Sequence, residues 1–449
     1  MAQENKMGVM PIKRLIISMS LPMMVSMLVQ ALYNIVDSIY VSRLSEEALA
    51  AVTLAFPLQN LMIAFGSGTG VGINAILSKS LGEKRFEQVD RAANTALLLT
   101  ICNSVLFLFI GLFLAKPFIY SQTSIPYILE NGSAYLRIVN CFSFGLFFQM
   151  MLERLLQSTG QTFYSMITQV TGAVINIILD PILIFGMFGM PAMGVAGAAY
   201  ATIIGQIIAA CIGLIFNITK NKEISLSLKD VFTVDMSMIQ RVYAIGIPSI
   251  IMMSIGSLMT YLFNKILLVF STTATAVFGV YFKLQSFFFM PIFGMNNGLV
   301  PVMAYNYGAK RKDRIVEALR FVLVLAIVIM LCGTIIMQLF PNILLGMFDA
   351  SSEMLKIGVP ALRIISLHFP LAAIAIVLGS TFQAFGKGLY SLIVSIARQL
   401  IVLIPAAWLL SKTGVVNNVW YAFIVAEITS LIISVYFFRR LYKSTIDML

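Results

Sequence analysis

The feature that most constrains this chain is a series of twelve apolar segments, each long enough to cross a lipid bilayer. About 20 apolar residues in a helix span the hydrocarbon core, and the segments 97–115 and 321–341 contain no charged residue. Charged residues are only 11% of the 449-residue chain, against about 25% in soluble domains. We therefore predict an all-α integral membrane protein with transmembrane helices at approximately 15–42, 48–80, 92–115, 133–152, 163–188, 192–218, 242–270, 274–306, 318–341, 357–383, 389–411 and 414–438.

The segments between these helices differ in their basic residues, and the difference predicts an orientation. If both termini face the cytoplasm, the cytoplasmic segments contain 21 Lys and Arg residues and the external segments contain four. This is the distribution described by the positive-inside rule. We predict a multi-pass protein of the cell (plasma) membrane with both termini in the cytoplasm. The net charge of +11 then reflects topology, and we expect no nucleic-acid partner.

The two halves of the sequence match each other at a single offset of 226 residues. Gly82-Glu-Lys84-Arg85 corresponds to Gly308-Ala-Lys310-Arg311 at this offset. Six helices repeated in the same orientation predict two pseudo-symmetric six-helix lobes, an arrangement typical of transporters with a site between the lobes. We predict an N-lobe at 1–218, a cytoplasmic linker at 219–240 and a C-lobe at 241–449. Further pairs at the same offset are Pro22 with Pro248, Gly68 with Gly294, Gly72 with Gly298, Gln157 with Gln383, and Gly160 with Gly386.

Asp37 lies well inside the first predicted helix, where an ionised carboxylate costs about 2.5–3.5 kcal/mol or more. Tyr33 and Asn34 precede it by one turn and share its helical face, so we expect a small polar patch. We favour a coupling role for this patch. The alternative is a carboxylate near the outer interface that is hydrogen-bonded to a neighbour.

Asp180 repeats this pattern in the fifth helix, with Asn176 one turn earlier and Pro181 directly after it. The alternative interpretation is an N-cap after a proline break, since Asp-Pro often marks the restart of a helix. Two carboxyl groups in one lobe can share a proton or ligate a sodium ion through hard oxygens, and Thr202 can add a hydroxyl oxygen. We expect H⁺ as the coupling ion, with Na⁺ at Asp37 and Asp180 as the alternative, and no other cofactor.

Several motifs stand out along the chain: Leu21-Pro22, Asp37, Gly82 with its basic loop, Gly160, Asn176–Gly186, Gly194–Thr202 and Pro301–Asn306. Together they resemble the multidrug and toxic compound extrusion (MATE) family of secondary transporters, and the resemblance extends over essentially the whole chain. It implies a two-lobe fold with a V-shaped central cavity and the export of cationic or amphipathic compounds driven by inward H⁺ or Na⁺ flow. Some relatives have cation-binding acids in the C-lobe, whereas Glu427 is the single deep acid of the C-lobe in this sequence.

We expect the substrate cavity to include Asp37, Asp180, Gln59, Lys283 and Met290. The position of Lys283 is usually basic in similar MATE sequences, and the alternative is that its side chain reaches an interface with water. Methionines such as Met290 provide an adaptable apolar lining. The other deep charges, Lys265, Arg398 and Glu427, are interpreted as structural, with a pair between Arg398 and Glu427.

Pro22 is the predicted hinge. It lies fifteen residues before Asp37, which is roughly 22 Å along a helix. A proline inside a helix removes a backbone hydrogen bond. Protonation of Asp37 would then allow the first helix to bend and the N-lobe cavity to shrink.

Three classes of function remain to be compared. The favoured one is a cation-coupled antiporter that exports cationic or amphipathic drugs and toxins by alternating access, acting as a monomer in the bilayer. The alternative is a flippase for lipid-linked sugars, which would use Lys265, Lys283 and Arg398 to hold a pyrophosphate. An enzyme is disfavoured because the sequence has one histidine and contains neither HExxH nor GxSxG.

Overall fold

The computed structural model describes residues 5–348 and 350–449, and within these residues the chain is helical and has no β-strand. Ten helices are long and apolar enough to cross a membrane, and two bent helix pairs bring the number to twelve when each pair counts as one span. The predicted all-α membrane fold is therefore confirmed. We number the spans α1 (Ile12–Ser42), α2 (Glu46–Gly82), α3 (Phe86–Phe113), α4 (Pro126–Cys141 and Phe144–Ser158), α5 (Thr162–Phe185), α6 (Val195–Thr219), α7 (Met236–Leu268), α8 (Thr272–Gly308), α9 (Lys312–Leu339), α10 (Ser352–Ser366 and Phe369–Ala384), α11 (Gly388–Ser411) and α12 (Tyr421–Leu441).

Shorter helical segments connect the spans. A π-helical segment, Ala397–Val402, lies inside α11. Hydropathy predicted α4 and α10 as single straight spans, but each is broken, with bends of 46° and 49°. A break between two apolar half-helices leaves the hydropathy unchanged, so hydropathy alone does not show it. In α10 the break coincides with Pro370 at the start of the second half-helix, a residue that favours a helix boundary. The connecting segments are Lys6–Val9, Ala115–Tyr120, Met187–Gly189, Leu228–Val231, Pro341–Gly346, Val416–Val419 and Tyr442–Ile446.

The sequence repeat corresponds to contacts between the lobes. A Cβ atom at Gly68 of α2 would lie 2.8 Å from the carbonyl oxygen of Gly246 in α7. A Cβ atom at Gly294 of α8 would lie 2.7 Å from the carbonyl oxygen of Met23 in α1. These backbone approaches are too close for any side chain, so glycine is required on both sides of the pseudo-two-fold axis. Gly82 and Gly308 form the same kind of contact, Gly82 against the Tyr305 carbonyl and Gly308 against the Lys79 carbonyl.

Hydrogen bonds between the lobes are concentrated at the end of the molecule that carries the basic loops. Ser20 Oγ donates to the Met295 carbonyl at 3.2 Å, and Arg154 Nη1 lies 3.1 Å from Asn297 Oδ1. Nearer the middle of the helices, one weaker contact joins Asn60 and Ser257 at 3.4 Å. The two lobes are thus held together at the basic end.

The N-terminal segment reinforces this closed end. Asn5 Nδ2 donates to the Thr159 carbonyl of the N-lobe at 3.0 Å. Arg314 of α9 donates to the carbonyl oxygens of Met7 and Met10 at 2.9 and 2.8 Å. Residues 5–10 therefore bridge the two lobes through backbone and side-chain hydrogen bonds.

Candidate coupling site

The site in the N-lobe begins with the close packing of α5 and α6. A Cβ atom at Gly205 would lie 2.7 Å from the Gly172 carbonyl oxygen, and one at Gly172 would lie 2.9 Å from Ala209 Cβ. Small residues let the two helix backbones approach, as is common between membrane helices. This approach places the polar residues of α5 directly beside Thr202.

Asn176 connects Thr202 to Asp180. With its amide oriented to satisfy both neighbours, Asn176 Nδ2 donates to Asp180 Oδ2 at 3.1 Å. Its Oδ1 accepts from the backbone N–H of Thr202 at 3.0 Å and from the Thr202 hydroxyl at 3.2 Å. All three residues are buried. The predicted grouping of Asn176, Asp180 and Thr202 is therefore present, and the amide fixes the orientation of one carboxyl group.

Asp37 reaches the same cluster from α1, which packs along α5. Gln169 Nε2 donates to Gln30 Oε1 at 2.9 Å between these two helices. The carboxyl groups of Asp37 and Asp180 lie within hydrogen-bonding reach of each other. Oδ1 of each is buried and has no hydrogen-bond partner among the described residues. Two carboxyl groups in contact share one proton or enclose a cation, because two bare charges at this separation repel strongly.

Two tyrosines complete the polar cluster. The Tyr33 hydroxyl lies within hydrogen-bonding reach of Thr202, as the sequence predicted for a member of the patch. The sequence analysis did not identify Tyr135 of α4, which is buried and within reach of Gln59. A single tyrosine near the start of an apolar segment has no distinguishing signal, so only the packing of α4 against α2 reveals it. Asn34 does not join the cluster, because its side chain is exposed.

The depth of the site differs from the prediction. Asp37 lies five residues before the end of α1 at Ser42, and Asp180 lies five residues before the end of α5 at Phe185. The cluster is thus nearer the end of the helices opposite Pro22 than the middle. Because α5 is continuous from Thr162 to Phe185, the alternative of a helix restart at Asp180 is wrong.

Pro22 lies within a continuous α1. Its ring removes the backbone hydrogen bond to the Ser18 carbonyl. That carbonyl instead accepts from the Thr162 hydroxyl at 3.4 Å. The predicted hinge position is therefore a point where α1 lacks one internal bond and is supported by α5.

The residues predicted to line one substrate cavity lie in different places. Asp37, Asp180 and Gln59 belong to the N-lobe cluster. Lys283 is exposed, with its ammonium 5.9 Å from the centre of the Phe348 ring. Met290 lines a separate cavity inside the C-lobe. The structure thus brings Asp37, Asp180 and Gln59 together and places Met290 in the C-lobe, and a cavity shared by all five residues stays a prediction.

The remaining deep charges have local partners. Lys265 is exposed and lies 4.8 Å from the centre of the Tyr261 ring, one turn earlier on α7. Arg398 and Glu427 approach to 3.5 Å, the pair expected from the sequence. Each of the three bases Lys265, Lys283 and Arg398 thus has its own partner, an aromatic ring for the two lysines and a carboxylate for Arg398.

The C-lobe has no counterpart of the acidic cluster. At the repeat offset, Phe263 corresponds to Asp37 and Ala406 corresponds to Asp180. Phe263 is fully buried and packs on Phe278 and Phe423, with ring centres 4.6 and 5.0 Å apart. The pseudo-symmetry of the fold is therefore broken at the site.

Comparisons with known proteins agree with this architecture. The sequence matches the family MatE over residues 22–182 and 248–409. It is 27% identical over 414 residues to multidrug export protein MepA of Staphylococcus haemolyticus, covering 91% of this chain and 89% of the relative. It is 27% identical over 435 residues to probable multidrug resistance protein YoeA of Bacillus subtilis, covering 95% and 94%. A solved outward-facing conformation of a multidrug resistance MATE family transporter of the MOP superfamily has a TM-score of 0.92 and 25% identity, covering 100% of this chain and 99% of that one.

Proposed function

Because the chain belongs to the MatE family, a family of membrane transporters and not of enzymes, we propose that it exports cationic or amphipathic compounds by cation-coupled antiport. The relatives named as a multidrug export protein and a probable multidrug resistance protein support this substrate class. Both lobes and the acidic cluster are present in a single chain, so we propose that the monomer is the working unit.

The observation that carries the proposal is the contact between Asp37 and Asp180. We propose that the coupling ion is H⁺, which binds between the two carboxyl groups. When the proton leaves, the cluster gains negative charge and attracts a cationic substrate. When a proton binds, the charge is cancelled and the substrate is released, so proton and substrate compete through one site. Sodium is the alternative occupant, with Asp37 Oδ1, Asp180 Oδ1 and the Thr202 hydroxyl as oxygen ligands.

The hinge at Pro22 would link this competition to a change of conformation. Binding of a proton removes the repulsion between Asp37 of α1 and Asp180 of α5 and draws the two helices together, and the missing backbone bond at Ser18 lets α1 bend there. The resulting movement would narrow the space beside α5 and expel the substrate. We propose that the basic end, where hydrogen bonds hold the two lobes together, faces the cytoplasm. The space between the lobes would then open to the outside of the cell.

A lipid-linked sugar flippase requires convergent basic groups in one cavity. Lys265 and Lys283 are exposed beside aromatic rings, and neither of them lines the cavity that contains Arg398. Nothing in this arrangement favours a pyrophosphate ligand, and we therefore prefer drug export.

Transport by purified protein in liposomes tests the proposal. Ethidium movement is followed with a pH gradient and with a sodium gradient, each imposed alone. We expect transport with the pH gradient, and loss of transport in Asp37→Asn and in Asp180→Asn. The matched control is Glu130→Gln, an exposed carboxyl group of the same lobe, which should transport normally. Transport driven by sodium alone would replace H⁺ with Na⁺, and full transport by either Asp variant would remove that residue from the coupling site.

A further inference from the structure

A cavity of about 410 Å³ lies in the C-lobe and is lined by residues of α7, α8, α10, α11 and α12. Its lining contains no residue of the Asp37–Asp180 cluster. Volumes of this size hold small organic molecules. The proposed export function does not assign a role to this cavity.

One charged group faces the cavity more than its partner does. Both members of the ion pair line the cavity, and the Arg398 side chain is 28% exposed whereas the Glu427 side chain is 4% exposed. Their single contact, Nη1 to Oε2, is 3.5 Å long, and Glu427 Oε1 is buried without a hydrogen-bond partner among the described residues. An arginine has five N–H donors. Arg398 therefore has N–H donors beyond the one that contacts Glu427, and its side chain is part of the cavity lining.

The position of Arg398 in the cavity lining coincides with an irregular segment of α11. Arg398 and Gln399 lie in the π-helical segment Ala397–Val402, and both consecutive residues line the cavity. π-Helical turns are rare and occur frequently at functional sites. Gln399 is oriented by a hydrogen bond from its Nε2 to Ser395 Oγ at 2.7 Å.

Most of the remaining lining is aromatic or aliphatic. Phe289, His368 and Phe423 surround the cavity, with the His368 ring 6.3 Å from Phe289 and 5.8 Å from Phe423 between ring centres. The hydroxyl of Thr260 is bonded to the Gly256 carbonyl of its own helix at 2.9 Å. The cavity lining thus contains the guanidinium group of Arg398 together with aromatic rings.

We propose that this C-lobe cavity binds a planar aromatic acid, with the carboxylate on Arg398 and the ring system between Phe289 and Phe423. A guanidinium group binds a carboxylate through two parallel hydrogen bonds, and aromatic rings prefer offset or edge contacts with other rings. This ligand class is opposite in charge to the cations expected at Asp37 and Asp180. The two lobes therefore offer sites of opposite polarity, and the protein accepts organic anions or zwitterions through the C-lobe.

Equilibrium binding to the purified full-length protein tests this inference, with 2-naphthoate as the probe and naphthalene-2-carboxamide as its neutral counterpart. We expect the unmodified protein to prefer the naphthoate. The double variant Arg398→Gln with Glu427→Gln removes both charges without leaving one buried alone. It should weaken naphthoate binding by about tenfold or more and leave the carboxamide nearly unchanged.

Glu427→Gln alone should tighten naphthoate binding, because it removes the carboxylate that competes for Arg398. Opposite effects of the single and double variants are not expected from a purely structural ion pair. Gly256 lines the cavity, so Gly256→Leu places an apolar side chain in it without changing a charge. The new Cβ would have room, because its nearest neighbour is Gln399 Oε1 at 3.7 Å. It should weaken both ligands, whereas Gly279→Leu, at an exposed site with open space, should weaken neither.

Two outcomes would overturn the inference. One is the absence of saturable naphthoate binding to the unmodified protein. The other is equal binding of naphthoate to the unmodified protein and to the double variant. Ethidium transport measured on the same variants keeps the two proposals separate, because it should persist in Gly256→Leu whether or not the C-lobe cavity binds an acid.

Discussion

Gly294 of α8 tests whether the contact between the lobes belongs to the transport cycle. An alanine Cβ at this position would lie 2.6 Å from Met24 Cα and 2.7 Å from the Met23 carbonyl oxygen of α1. Ordinary contacts of a Cβ atom begin at 3.4 Å, so α1 and α8 must separate by roughly 0.8 Å, and both opposing atoms belong to the backbone and cannot rotate away. Overpacking of this kind costs typically about 1–3 kcal/mol.

The cost applies only to the conformation in which α1 and α8 touch at this point. Alanine also has a higher helix propensity than glycine, by about 1 kcal/mol. This gain is the same in every conformation in which α8 is helical, so it does not change the balance between the closed conformation and the others. The population of the conformation closed at the basic end should therefore fall by a factor of about 5–150. Ethidium transport should slow, because the cycle must pass through that conformation.

Spin labels at Arg85→Cys and Arg311→Cys, in a background without the four native cysteines, report the distance between the two basic loops by pulsed EPR. Both positions are exposed. We expect Gly294→Ala to shift the distribution toward longer distances. Gly279→Ala is the matched control on the same helix, with nothing within 4 Å of the new Cβ. If the two variants give the same distances and the same transport rate, the closed contact is not part of the cycle and the reasoning fails.

Three further results are expected at the N-lobe. Pro22→Ala should slow ethidium transport more than it weakens ethidium binding, because it restores the bond to the Ser18 carbonyl and removes the hinge. Separate measurements of rate and dissociation constant check this, and equal effects on both would argue against a hinge. Thr202→Val removes the hydroxyl that donates to Asn176 and should slow proton-driven transport by about fivefold, the effect of one lost net hydrogen bond, whereas an unchanged rate would exclude Thr202 from the site. Binding of tetraphenylphosphonium should weaken as the pH is lowered, because protonation cancels the negative charge that attracts the cation. Asp37→Asn should flatten this dependence, and equal affinity of the unmodified protein at acid and alkaline pH would refute the competition.

Much of the architecture follows from the sequence because its causes are local along the chain. A bilayer demands long apolar helices with internally bonded backbones, so hydropathy identifies the spans. The offset of 226 residues is visible because close contacts between the lobes need glycine at Gly68 and its counterpart Gly294, whatever the surrounding apolar residues are. Asp37 and Asp180 stand out because a carboxyl group inside an apolar span is costly without a function.

Other features depend on which helix faces meet, and this only the tertiary structure decided. The contact between Asp37 and Asp180 requires α1 to pack along α5, and the inclusion of Tyr135 requires α4 to approach α2. Asn34 shares the helical face expected for Asp37, yet its side chain is exposed, because a spacing of three residues leaves a difference of about 60° in direction around a helix. Hydropathy is the same for a straight span and a broken one, so it does not show the bends of α4 and α10, although Pro370 marks the break in α10. The cavity at Arg398 likewise depends on a π-helical turn, whose extra residue changes the direction of side chains without changing the composition of the span.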